Sequence, residues 1–223
     1  MTVLVENAGP IFPVHFTPNA AIIATMTVFF TLFDTAIGRC AIAWGARGVV
    51  CLQLPEASKT KTRARVLQRC PGAQEASPPP PVAVARDAVA ALLRGTPSDL
   101  SSIPLDMDRL PPFHRRIYEA ARAIPFGVAT TYGALAQRAG ATGSARAVGQ
   151  ALARNPFAII VPCHRVLASG GKTGGFSASG GAATKLRLLA IEGHKIGPAK
   201  SRGKSLQGHC GPSLFDDRIA AEG

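Results

Sequence analysis

The sequence predicts a two-part chain, an α/β first half followed by a mostly helical second half carrying a helix-turn-helix. Three observations lead there: apolar runs bunched after residue 26, a change of composition near residue 102, and two short helices around a glycine-bearing turn. "MTVFFTLFDT", "CAIAWG" and "GVVCLQLP" are rich in β-forming residues and are separated by turns at "IGRC" and "GARG". They read as three strands of an antiparallel sheet. "KTRARVLQRC" and "PVAVARDAVAALLRG" follow as helices, parted by a loop with "SPPPP", since a proline run interrupts both helix and central strand.

Four segments result: a loosely ordered leader over 1–25, an N-terminal domain over 26–102, a C-terminal domain over 103–197 and a flexible tail over 198–223. Apolar residues make up 47% of the chain and charged ones 17%, which excludes a disordered protein. The run "AAIIATMTVFFTLF" is too short to span a bilayer and lacks the basic start of a secretory signal. Five cysteines, Cys40, Cys51, Cys70, Cys163 and Cys210, show no CxxC and no regular spacing. That argues against a disulfide framework or a zinc ribbon and for a reducing, cytoplasmic setting. Lys and Arg outnumber Asp and Glu 25 to 13, an excess that favours a polyanionic partner, nucleic acid ahead of an anionic membrane.

In the second half, "PPFHRRIYEAARAIP" begins a helix at Pro112, with Phe113, Ile117, Ala120 and Ile124 on one face. "TTYGALAQRAG" is a short helix capped by Thr130 or Thr131 and ended by Gly140. After the turn "ATG", Ser144 caps "ARAVGQALARNP". The pair fits a helix-turn-helix or an ordinary helical hairpin. Arg146, Gln150 and Arg154 share one face of the second helix, and the small Ala145, Ala147 and Gly149 would let it approach a nucleic-acid backbone.

"VPCHRV" places Cys163 beside His164 and Arg165 after the apolar "FAIIV", read as a short strand or buried extended segment. Imidazole and guanidinium both favour thiolate over thiol. Neighbours in an extended chain face opposite ways, so either the backbone turns at 162–164 or water relays the proton. "GGKTGG" lacks the first glycine of a phosphate loop, Val166 standing there, and instead suits wrapping a flat ligand, with Phe176 as its aromatic. In "AATKLRLLAIEG" the residues Leu186, Leu189 and Ala190 are expected to face inward. Glu192 sits in the last turn, where the helix dipole disfavours a carboxylate; it would either orient His164 or pair with Lys195 or His194 at the surface.

These residues together, "NPFAIIVPCHRV", a glycine-serine loop, "LLAIEG", "TTYGALA" and "ARAVGQAL", resemble the O6-alkylguanine-DNA alkyltransferase family from about Pro112 to Lys195. The resemblance implies a ribonuclease-H-like N-terminal domain and a winged-helix-like C-terminal one. It implies a monomer acting once, without cofactor or metal, on double-stranded DNA that holds O6-alkylguanine, and taking the alkyl group of O4-methylthymine too. Cys163 would take the alkyl group, His164 the thiol proton, Glu192 would hold His164, and Asn155 would brace the turn. Arg146 would fill the stack vacated by a flipped base, aided by Ala145, Gly149 and Gln150, while Tyr132 would promote the rotation. The Val166 carbonyl, the Phe176 backbone and Ser177 or Ser179 would receive the base; "GGFSASGG" is longer than the family's usual loop, so the two serines compete. An alkylation- or DNA-responsive helix-turn-helix regulator is the alternative.

Overall fold

Alternating large and small apolar residues build the sheet first. Strands β1 (Phe29–Thr35), β2 (Gly38–Gly45) and β3 (Gly48–Gln53) form two successive antiparallel hairpins. The structure, a computed structural model, describes residues 27–194. The leader over 1–25, the tail over 198–223, Met26 as a strand start, Cys210 and Lys195 lie outside the described residues. Both faces of β2 are covered. Cys40, Ile42 and Trp44 join the main core, while Ala41 and Ala43 pack with Phe30, Cys51 and Val66 in a smaller one. Two-sided burial explains why β2 reads as an unbroken apolar run.

Helix α1 (Lys59–Arg69) covers the smaller cluster through Thr62 and Val66, and Ser58 caps it by accepting from the Lys61 amide. Behind it comes β4 (Gln74–Glu75), a short strand parallel to β1 that the sequence does not announce, giving the order β3-β2-β1-β4. Helix α2 (Pro80–Leu92) starts inside the proline run. Pro80 and Pro81 occupy its first turn, where no amide donor is missed. Gly48 sits at φ 125°, and a Cβ there would collide with the Pro104 backbone. That close approach lets Val49 pair with Leu105 and draws the connecting segment onto the sheet.

The second half is mostly helical, as expected. Helix α3 (Pro112–Arg122) buries Ile117, Tyr118 and Ala121, and the Tyr118 hydroxyl donates to the Ala151 carbonyl at 2.8 Å. That bond ties α3 to α5 (Ala145–Ala153), the helix after the turn, which buries Val148, Ala151 and Leu152. Between them lie β5 (Thr130–Thr131) and α4 (Tyr132–Arg138), capped by the Thr131 hydroxyl. Ser144 stands at the start of α5 but makes no side-chain cap bond; its backbone carbonyl accepts from the Val148 amide instead. Strand β6 (Val166–Leu167) pairs with β5, and α6 (Gly181–Ile191) closes the described chain. The main core runs through both halves, from Phe33 to Leu188.

Two expectations need correction. "FAIIV" is buried but is not extended: it folds as a tight turn with Ile159 at φ 71°, held by Val161 N–H donating to the Phe157 carbonyl. In α6, Leu186 is 38% exposed and Ala190 is exposed, while Lys185, Leu188 and Leu189 face inward. The helix is rotated from its expected phase because Lys185, not Leu186, has a partner in the interior.

Candidate functional site

The turn after α5 sets the site. Asn155 is buried and bonds on both sides: its amide nitrogen donates to the Val161 carbonyl and its oxygen accepts from the Phe157 amide, each at 2.9 Å. The turn so braced delivers Cys163 into a single 3₁₀ turn over Cys163–Arg165, with the Arg165 amide donating to the Pro162 carbonyl. Of the two ways to reconcile Cys163 with His164, the chain takes the turn. Cys163 remains partly exposed.

His164 and Glu192 meet in the interior. His164 Nε2 lies 2.9 Å from Glu192 Oε1, with both side chains 1% exposed. Arg165 grips the same carboxylate bidentately, Nε to Oε2 and the terminal nitrogen to Oε1, both 2.9 Å, and donates to the Ile124 carbonyl at 2.6 Å. The Gly127 amide adds a fourth bond to Oε2 at 3.2 Å. Burial alone would raise the Glu192 carboxyl, but the bonds from His164 and Arg165 outweigh it and hold the pKa at about 2. Glu192 is therefore an anion and accepts from His164, which fixes the imidazole with its proton on Nε2. Nδ1 has no protein partner among the described residues and is left as the acceptor nitrogen. Burial lowers the His164 pKa, with Glu192 opposing, so the resting ring is neutral.

The expectation that imidazole and guanidinium acidify the thiol is corrected by this geometry. His164 is neutral and Arg165 is committed to Glu192. Burial pushes the Cys163 thiol up, opposed by Asn155, by the nearby Lys185 cation and by local backbone amides. Lys185 is the residue that sequence reasoning missed. It is fully buried, donates to the Val166 carbonyl at 2.6 Å and lies 5.5 Å from the Tyr132 ring centroid. Burial lowers its pKa to about 8, with Cys163 opposing. A signal existed: Lys185, Leu188, Leu189 and Glu192 are spaced as one helical face.

Cys163 forms part of the lining of a cavity of about 530 Å³. Its walls bring together Tyr132, Ala145, Arg146, Gly149, Gln150, Phe176 and Ser177, all expected at the site. The Tyr132 hydroxyl lies 3.4 Å from the Gly175 carbonyl, and Gly174 packs so tightly on the ring that a Cβ would sit 3.0 Å from it. Gly174 also has φ 67°, so this contact requires glycine twice over. Ser179 is placed apart from this lining, with its carbonyl accepting from the Thr184 hydroxyl. The Val166 carbonyl already receives Lys185. Among the described residues no cluster of His, Cys, Asp or Glu could hold a metal ion, and no helix is long and apolar enough to cross a membrane.

Fold and site together define a helix-turn-helix protein with one thiol facing a cavity. Comparison with known proteins narrows the class. Residues 112–194 match the family model described as the 6-O-methylguanine DNA methyltransferase DNA-binding domain. A methylated-DNA–protein-cysteine methyltransferase of Methanothermobacter thermautotrophicus is 35% identical over 152 residues, covering 68% of this chain and 78% of that protein. A Thermus thermophilus protein named DNA base-flipping protein is 44% identical over 108 residues, covering 48% of this chain and 71% of the other. Two mycobacterial relatives are covered over only 50% and 56% of their length. The crystal structure of Mycobacterium tuberculosis OGT in complex with DNA superposes with a TM-score of 0.59 at 33% identity, over 74% of this chain and 92% of that one. The chain belongs to the methylated-DNA–protein-cysteine methyltransferase family, and its fold is of the α/β class.

Proposed function

We propose that the protein repairs alkylated DNA by moving the alkyl group of O6-methylguanine, and of O4-methylthymine, irreversibly onto its own Cys163. One observation carries the assignment: a thiol at the cavity wall, beside the recognition helix α5 and backed by a buried His164–Glu192 pair. The thiol proton passes to His164 Nδ1 through water, since the neutral ring keeps that nitrogen free of protein partners. The sulfur pair attacks the methyl carbon as the carbon–O6 bond breaks, and the bond electrons stay on the base oxygen. Sulfur keeps the methyl as a thioether, so each molecule acts once.

In this proposal α5 lies along the minor groove of double-stranded DNA with Arg146 entering the stack, and Ala145, Gly149 and Gln150 lie against the backbone. Tyr132 presses the target nucleotide into the cavity. Lining by Ser177 and not Ser179 favours Ser177, with the Phe176 backbone, as the group facing O6. The Val166 carbonyl receives the base amino group on its second lone pair beside Lys185. We further assign a ribonuclease-H-like N-terminal domain over 26–102, on the strength of the hairpins and parallel β4, and a winged-helix-like domain over 103–197 from α3–α5 with β5 and β6. A monomer in the cytoplasm suits the free thiols. A non-repairing DNA sensor would have no use for Cys163 in this setting.

Incubation with a duplex bearing O6-methylguanine, followed by peptide mass spectrometry, tests the proposal. One added methyl per molecule is expected on Cys163, and none in Cys163→Ala. Methyl on Cys51 or Cys70, or repeated turnover, would refute it.

A further inference from the structure

We propose that helix α1 forms a second phosphate-binding wall across the site from α5, with Lys61 and Arg65 holding the sugar–phosphate backbone beside the target base. The inference rests on the DNA reading above and extends it to the N-terminal half of the chain.

Helix α1 carries Lys59, Lys61, Arg63, Arg65 and Arg69 within eleven residues and no acidic residue. All five are exposed. Arg63 is paired with Glu75 at 3.0 Å, but Lys61 and Arg65 form no ion pair among the described residues. Arg65 instead donates to the Gln68 side-chain oxygen at 2.6 Å, which holds the guanidinium in place without neutralising it. Lys61, Arg65 and Gln68 share one helix face, with the two cations about 6 Å apart along the axis. Ala64 lies in the same stripe and leaves room for a backbone to come close.

The stripe has a facing wall. With Ser177 to Ser179 it lines an open depression of about 520 Å³. A narrow cleft that includes Glu56, Arg65, Arg69, Cys163, Phe176 and Ser177 shares Cys163, Phe176 and Ser177 with the cavity and Glu56, Arg65 and Ser177 with the depression. Cys163 and Ser177 thus stand between a lining that holds Arg146 on α5 and one that holds Arg65 on α1. Glu56 lines both the cleft and the depression, and its carboxylate accepts from the Gln53 amide at 3.2 Å. Rotating one nucleotide out of the stack works against a backbone that must be held on both sides of it. Helix α5 supplies one side and α1 the other. A merely solvated helix would normally intersperse acidic residues among its cations.

Binding of an unmodified duplex is measured against salt for the full chain and for the Lys61→Ala/Arg65→Ala double variant, alongside alkyl transfer from free O6-benzylguanine. Two lost phosphate contacts reduce the salt slope by about 1.8. The unaltered protein then loses about 12-fold more affinity than the variant between 50 and 200 mM salt. Transfer from the free base is expected to stay within about twofold, because α1 is anchored by Thr62 and Val66, which are untouched. The Lys61→Arg/Arg65→Lys pair is expected to keep the slope. An unchanged slope in the double alanine variant, or an equal loss of free-base reaction, overturns the inference. The slope is read by binding, so it decides this point even if no alkyl group is ever transferred.

Discussion

Two thiols, Cys51 buried and Cys163 partly exposed, make an instructive pair. Cys51 lies under α1 and is 1% exposed; a hydrogen bond with Cys70 lowers its thiol pKa against the opposing effect of burial, with Arg69 and Arg65 helping. Cys163 has the opposite balance, its thiol pushed up by burial, yet it lines the 530 Å³ cavity. Acidity alone would nominate Cys51. Access nominates Cys163, along with a neutral imidazole of fixed tautomer one residue away. The lesson is that a thiol consumed once needs a route for its proton and room for its electrophile more than a low resting pKa.

The largest expected effect breaks the comparison outright. Cys163→Ala abolishes alkyl transfer, whereas Cys51→Ala changes its rate less than about twofold and costs stability of about 1 kcal/mol. Methyl acceptance by the Cys163→Ala protein would mean that acidity had won. Next in size is Glu192→Gln. It leaves Arg165 buried without its carboxylate and is expected to cost about 3–5 kcal/mol, read from the urea midpoint at pH 7. Transfer should slow at least tenfold as His164 loses its orienting anion.

The acid limb of stability sharpens the same point. The Glu192 carboxyl is depressed from 4.5 to about 2, so its contribution is fully present above pH 4.5 and is lost as the pH falls towards 2. Up to about 3 kcal/mol disappears across that window, and the loss should be absent in Glu192→Gln. Lys185→Met is the subtler test. Removing the cation beside Cys163 should raise the thiol pKa further and slow transfer from free O6-benzylguanine about tenfold at pH 7, with partial recovery at higher pH. Stability should change by no more than about 2 kcal/mol, since a buried cation is replaced by an apolar chain of similar length. Smallest is Arg146→Ala, expected to weaken repair of duplex DNA about fivefold while leaving the free-base reaction unchanged. Equal losses on both substrates would remove Arg146 from the flipping step.

Much of the site was legible because it is local. Asn155, Cys163 and His164 fall in one short stretch, and Thr131 and Gly140 mark the ends of α4 by their own chemistry. Glu192 was legible through a conflict: a carboxylate at a helix C-terminus needs a partner, and Arg165 with His164 supplies it. What escaped is what tertiary packing imposes. Ile159 takes a left-handed φ that no β-branched residue announces, so "FAIIV" looked extended. Lys185 shares the spacing of the inward face, but a lysine there reads as a surface residue until the Val166 carbonyl and the Tyr132 face supply its partners. Its inward turn shifts the phase of α6 and puts Leu186 outside.

The four hydrogen bonds on Glu192 have a consequence for how freely this position can vary. One carboxylate joins the loop at Gly127, the turn at His164 and Arg165, and the end of α6. Glutamine keeps the length but has no charge for the guanidinium. Aspartate keeps the charge but is one methylene short of three segments at once. No single replacement meets both demands, so a saturation library at residue 192 should return glutamate almost alone, whether survivors are sorted by folding or by repair.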